Sequence, residues 1–124
     1  MVINLYYKNV PDDIKKQMYE ILIENLFITY PDFFKEKDKH DNIKNYNNWT
    51  YMINNTDNYK VITYERNEVI GFLNFLINNN ELWISEVQVK DCYKGKNIFK
   101  MLINELILLD EVKKYKTITI HINN

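Results

Sequence analysis

The chain has 124 residues, enough for one domain with a real core and too few for two. Its 46% hydrophobic and 15% aromatic content fits a folded globule and excludes a disordered chain. With 16 Lys+Arg against 17 Asp+Glu, no global field recruits nucleic acid or an anionic membrane. The single cysteine, Cys92, excludes an internal disulfide framework and a cysteine-based zinc site, which suits a reducing cytosol. No apolar run approaches the ~20 residues that span a bilayer, and the N-terminus carries no signal-peptide pattern. A cytoplasmic chain with neither a membrane nor a nucleic-acid partner is expected.

In chain order, Val2 to Tyr6 reads as a short strand. Pro11, Asp12 and Asp13 then mark a helix start, because a proline tolerates the first turn and carboxylates favour the positive end of the helix dipole. Ile14, Met18, Ile21, Leu22 and Asn25 recur at helical spacing and predict a helix over Asp12 to Leu26. The stretch after Pro31 interleaves Tyr30, Phe33, Phe34, Tyr46, Trp49 and Tyr51 with charge; it predicts irregular chain and then a short helix from Asp41 to Ile53.

From Tyr59 the pattern becomes β. "YKVITYER" is β-branched and aromatic, a turn at Asn67-Glu68 leads into "VIGFLNFLI", and "NNNE" leads into "LWISEVQV". Phe72, Leu73, Phe75 and Leu76 fall on both faces, so the middle strand is covered above and below. Ile98 to Leu109 is apolar on most sides and predicts a buried helix, and "KTITIHI" supplies a last strand. A strand, helix and strand of these lengths form a right-handed crossover, so 82–89 and 117–122 should run parallel. The fold class is therefore α/β (α+β), a mixed, mostly antiparallel sheet with one parallel pair and helices on both faces, in one domain over 1–124.

The chemistry concentrates where that last helix begins, in "VQVKDCYKGKNIFKML". The first amides of a helix have no intrahelical acceptor, and their partial positive charge makes an anion site. Lys94 and Lys96 flank it, Gly95 lets a ligand approach the backbone, and Asn97 is the non-glycine residue that best tolerates a left-handed conformation. The residues read as a pyrophosphate cradle, with an ordinary strand-to-helix turn as the alternative that three such residues in a Lys-rich chain do not exclude.

Following two hairpins and preceding a parallel strand, this motif resembles the GNAT family of N-acetyltransferases. That family shows Val, a Pro-containing spacer, an aromatic residue, Arg-Gly-Lys-Gly-Ile-Gly and an apolar helix. Val89 takes the place of the Val, Asp91 of the Pro, Tyr93 of the aromatic and Lys94 of the Arg. Gly95 and Lys96 match directly, and Ile98 takes the Ile. Asn97 stands where the family has glycine, a change costing about 1 kcal/mol or less in a left-handed residue. Phe99 replaces a small residue, with its ring expected to turn into the core. The resemblance covers Tyr59 to Asn124; before that only the strand-helix-helix order agrees.

The resemblance implies acetyl-CoA as co-substrate, no metal, and transfer of the acetyl group to an amine. It implies that Val87 and Val89 pair with the pantetheine arm, that the amides of Lys94, Gly95, Lys96, Asn97, Ile98 and Phe99 hold the pyrophosphate, and that Asn124 also touches the cofactor. Glu86, interrupting an apolar strand beside the slot, is read either as the base, its pKa raised by burial, or as a paired or half-exposed sheet residue; Glu81 and Tyr64 are lesser candidates for the base. Cys92 is weighed as an acyl-Cys nucleophile and set aside because no His lies near it in sequence. His40 and His121 have no ligand spacing, and His121 is read as a sheet-face residue. Trp49, Tyr46 and Tyr51 are read either as core or as walls of an acceptor pocket. Relatives continue through a further helix and two strands after "ITIHINN", so the chain is read as a fragment or as a short form whose open last strand pairs with a second copy in a homodimer. A non-catalytic CoA-binding or structural domain is the alternative function, and a non-CoA nucleotide binder the third.

Overall fold

The computed structural model describes residues 2–7, 9–29, 47–51 and 59–122. Its strands β1 (Val2–Tyr7), β2 (Tyr59–Glu65), β3 (Glu68–Asn78), β4 (Glu81–Val89) and β5 (Thr119–Ile122) lie side by side in chain order as one five-stranded sheet. The first four are antiparallel to their neighbours, and β4 pairs parallel with β5, Glu81 opposite Thr119 through Ile84 opposite Ile122. Helix α1 (Asp12–Thr29) follows β1, α2 (Ile98–Leu108) and the short α3 (Asp110–Lys113) follow β4, and residues 47–51 are helical. The expected mixed α/β architecture is the observed one. Asn124, His40 and the aromatics from Tyr30 to Tyr46 lie outside the described residues.

Each face of the sheet carries its own core. On one, Met18 and Ile21 of α1 pack with Ile62, Tyr64, Val69, Phe72 and Trp49. On the other, Ile98, Leu102 and Leu106 of α2 pack with Val61, Ile70, Leu73, Phe75, Leu82 and Ile84. β3 is buried from Val69 to Phe75, as a strand covered above and below must be. Two bulges keep the faces in phase. Between Thr63 and Tyr64 of β2 the partner β3 spends an extra residue, Ile70, so Ile70 joins Leu73 on the α2 face while Val69 joins Phe72 on the α1 face. In β4 the extra residue is Ser85, between the pairs Phe75–Ile84 and Asn74–Glu86. Leu82 and Ile84 face α2 before it. After it Val87 and Val89 face α2, and Glu86 and Gln88 turn toward α1. Without Ser85, strict alternation would drive the Glu86 carboxyl into the apolar α2 core.

Several local expectations shift. α1 runs one turn beyond Leu26, to Thr29. The β2–β3 turn is centred on Arg66 (φ 52°) and Asn67 (φ 63°), one residue earlier than expected. Two left-handed residues form the mirror-image turn that matches strand twist, and Glu68 already pairs with Glu65. The helix expected to be wholly buried is one-sided. Ile98, Leu102 and Leu106, four residues apart, are its fully covered stripe, whereas Phe99, Ile107 and Leu108 are about half exposed.

Candidate cofactor cleft and acid–base site

The cleft starts from backbone geometry at the end of β4. The Lys90 amide donates to the Ile70 carbonyl at 2.8 Å across the ladder. In an antiparallel pair, successive residues point their N–H and C=O alternately toward and away from the partner. Gln88 therefore bonds to β3, while Val87 and Val89 aim both groups at the opposite edge. Beyond Ile84 that edge has no partner strand among the described residues.

A single 3₁₀ turn, Asp91–Tyr93, then carries the chain to α2. Gly95 (φ 79°) and Asn97 (φ 65°, ψ 21°) are left-handed, and Asn97 is the residue that caps α2 without a side-chain bond. Asn97 thus takes up the left-handed conformation expected of it. The Lys94 amide bonds Asp91 O (3.1 Å) and the Lys96 amide bonds Tyr93 O (3.3 Å), so these two are spent on the turn itself. The first helical bond is Met101 N to Asn97 O, at 3.0 Å. Among the described residues, the amides of Gly95, Asn97, Ile98, Phe99 and Lys100 meet no acceptor. They open on a cavity of about 300 Å³ lined by Val89, Tyr93, Asn97, Ile98 and Phe99.

Of the amides expected to form a cradle from Lys94 to Phe99, those of Lys94 and Lys96 are bonded within the turn, and the Lys100 amide is likewise without an acceptor among the described residues. Lys94 and Lys96 offer exposed side chains instead, with Lys94 Nζ 3.4 Å from Asp91 and Lys96 Nζ over the Tyr93 ring. The Phe99 ring does not turn into the core. It is 48% exposed and walls the cavity. Gly71 sets how closely this end of α2 sits on the sheet. A Cβ there would lie 3.1 Å from Ile98 Cγ2 and 3.2 Å from Gln88 O.

Glu86 is half-buried on the α1 face beside the open edge. Burial pushes its carboxyl up from 4.5 to about 6, against hydrogen bonds from Gln88 and Asn74 that act to lower it. Asn74 Nδ2 donates to Glu86 Oε2 at 3.3 Å. Asn25 of α1 donates through Nδ2 to both Gln88 Oε1 (2.9 Å) and Val89 O (3.0 Å). Lys60 of β2, opposite Asn74 and fully buried, extends the same polar row. Sequence reasoning missed Asn25, Asn74, Gln88 and Lys60 as site residues. The available signal was a polar residue where the periodicity asks for an apolar one: Asn25 in the α1 stripe, and Asn74 within "GFLNFLI".

The other candidates lie elsewhere. Tyr64 bonds the Tyr6 hydroxyl at 3.1 Å, and burial drives its pKa well above the ordinary tyrosine value, the wrong direction for a base. Glu81 is exposed at the start of β4, 3.5 Å from His121, which stacks flat on Trp83 as a sheet-face residue. Trp49 is buried in the α1-side core and Tyr51 is 70% exposed, so these two do not form a joint aromatic wall. Cys92 is exposed. Among the described residues no group of three or more His, Cys, Asp or Glu could hold a metal, and no helix is long and apolar enough to cross a membrane.

Comparison with known proteins agrees with this fold. No curated protein matches the chain by sequence. Among solved structures it is similar to an aminoglycoside 6'-N-acetyltransferase complexed with coenzyme A, with TM-score 0.64, 19% identity, 98% of this chain and 61% of that one. It is also similar to the PaiA N-acetyltransferase of Thermoplasma acidophilum in complex with coenzyme A (TM-score 0.60, 21% identity, 92% and 74% covered). A GNAT-family acetyltransferase of Staphylococcus aureus Mu50 aligns with TM-score 0.66 and 15% identity over 99% and 74%. The chain thus spans less than two thirds of the first of these. The acetyltransferase (GNAT) family profile matches residues 16–124, and the chain belongs to that family.

Proposed function

We propose that this protein is an N-acetyltransferase that moves the acetyl group of acetyl-CoA to an amine. The observation that carries the reading is the cluster of acceptor-less amides at Gly95 and Asn97 to Lys100, set immediately beyond a half-open strand. Such amides favour a phosphate anion, and the Lys94 and Lys96 ammonium groups add point charge at the rim. The outward N–H and C=O of Val87 and the outward N–H of Val89 suit the amide-bearing pantetheine arm as a strand would. Two solved neighbours bind coenzyme A. Asn124 stays in the proposal as a further contact on resemblance alone.

In this reading the Val87 amide polarises the thioester carbonyl as its oxygen gains charge. The amine nitrogen forms a bond to the thioester carbon, Glu86 accepts the proton that the nitrogen must lose, and the C–S bond breaks with CoA leaving as its thiolate. A base with a pKa near 6 is ionised at neutral pH yet basic enough to share that proton.

Calorimetry with acetyl-CoA, CoA and ATP, followed by a thiol-release assay over a panel of amines, tests the proposal. The expected result is binding of acetyl-CoA and CoA over ATP, with amine-dependent thiol release. Tighter binding of ATP would overturn the cofactor. Binding without release by any amine would favour a CoA-binding domain without turnover.

A further inference from the structure

A carboxamide can present either its oxygen or its NH₂ to a neighbour, with opposite effects on a carboxyl group. A donated N–H favours the carboxylate, whereas an offered C=O favours the protonated acid. On the α1 face two carboxamides, Gln88 and Asn74, bond one half-buried carboxyl, Glu86, and a third, Asn25, bonds Gln88 from behind. Which end Asn25 presents, and through it Gln88, is decided by a group that has no choice. The Val89 carbonyl is an acceptor only, and it takes Asn25 Nδ2 at 3.0 Å. The same Nδ2 reaches Gln88 Oε1 at 2.9 Å. Reversing the Asn25 amide would set its oxygen against both of these acceptors. The observed polarity leaves Asn25 Oδ1 buried without a hydrogen bond, a cost that the two donated bonds must offset. With its oxygen engaged, Gln88 has only Nε2 to turn along the strand toward Glu86, two residues back on the same face.

We propose that Asn25 is a positioning residue for Glu86. It fixes the Gln88 amide so that Nε2 faces the Glu86 carboxylate, and the Val89 carbonyl fixes Asn25 in turn. This deepens the reading of Glu86 as the base, on which its catalytic meaning rests. The polarity itself is a property of the resting protein.

Burial, Gln88 and Asn74 are the causes that move the Glu86 carboxyl. The other titratable groups on this face include Tyr6 of β1, Lys60 and Tyr64 of β2, Lys15 and Tyr19 of α1, and His121 of β5. None of them is among those causes, so the two amides are the groups that oppose burial.

The experiment is a ¹³C NMR titration of the glutamate side-chain carboxyls, with Glu86 assigned by its loss in Glu86→Gln. It compares wild type, Asn25→Leu, Gln88→Met and the double variant. Wild type should titrate near 6. Each single change should raise the midpoint by about half a unit or more. The double variant should rise no further than Gln88→Met alone, because Asn25 acts through Gln88. An unchanged midpoint in folded Asn25→Leu, or additive shifts in the double variant, would overturn the proposal. Should Asn25→Leu not fold, Asn25→Ser is read by the same two outcomes. Parallel pH profiles of kcat/KM separate this proposal from the function. An acid limb that moves with the NMR midpoint supports both. A moved midpoint with an unmoved rate profile keeps the relay and removes Glu86 as the base.

Discussion

The two faces of this sheet are built on different terms. The α2 face is apolar but for Thr63, whose hydroxyl is satisfied by the Gly71 carbonyl, with Ile70, Leu73, Phe75, Leu82 and Ile84 meeting a stripe of Ile98, Leu102 and Leu106. The α1 face holds a comparable core against β2 and β3, and beside it a polar row that crosses the sheet from Lys60 of β2 through Asn74 of β3 to Glu86 and Gln88 of β4, met by Asn25 of α1. A hydrophobic face is stabilised by area and shape. A buried polar row is tolerable only when its hydrogen bonds are made, because an unpaired partner there costs about 1–3 kcal/mol. The contrast teaches where to look for chemistry. The face that departs from simple burial is the one that holds the carboxyl beside the open edge of β4. Ser85 is the hinge between the two regimes, since its bulge sends Glu86 to the polar side and Val87 to the apolar one.

The sharpest way to break the comparison is to change a residue that matters on one face only. Glu86→Gln should lower kcat/KM for an amine acceptor by about 10²–10⁴-fold, the range of a lost general base, while leaving CoA affinity near wild type. A fall below tenfold would remove Glu86 from the chemistry. On the opposite face, Leu102→Ala should cost about 2–5 kcal/mol in denaturant unfolding. Leu108→Ala, on the exposed side of the same helix, should stay within about 0.5 kcal/mol. Similar losses for the two would mean that α2 is covered on both sides. Gly71→Ala tests the seam, since its Cβ would press on Ile98 and on the Gln88 carbonyl at 3.1 and 3.2 Å. It should cost about 1–3 kcal/mol and weaken CoA binding together with stability.

The smallest effect is the most diagnostic of the polar face. Glu86 has a folded pKa of about 6, above its ordinary 4.5. Protonation therefore favours the folded state. That contribution is full below about pH 4.5 and is lost as pH rises through 6. Glu86→Gln should consequently be more stable than wild type at pH 7.5, by about 1–2 kcal/mol, and no more stable at pH 4. Equal stabilities at both pH values would mean that Glu86 is well solvated.

This division also explains what the sequence made legible. Periodicity read β2, β3, β4 and both long helices, because apolar burial imposes a repeat: Met18 and Ile21 on α1, and unbroken burial along Val69 to Phe75. The parallel pairing of β4 with β5 followed from chain length and handedness. The loop before α2 was legible because Gly95 and Asn97 mark left-handed backbone. Bulges leave no such mark. The phase change at Ser85 depends on pairing with β3, so it could not be read from β4 alone. Nor could the Asn25 contacts with Gln88 and Val89, which join residues more than 60 positions apart. The exposed side of α2 was misread because composition counts apolar residues without saying which of them meet a neighbour.

The most direct test of the central claim is an amide NMR titration with coenzyme A. The account predicts that the signals of Gly95, Asn97, Ile98, Phe99 and Lys100 shift on binding and exchange with solvent more slowly. The amides of Lys94 and Lys96, already bonded within the loop, should be far less protected by the ligand. Saturation with coenzyme A that leaves those five amides unshifted and unprotected would contradict it.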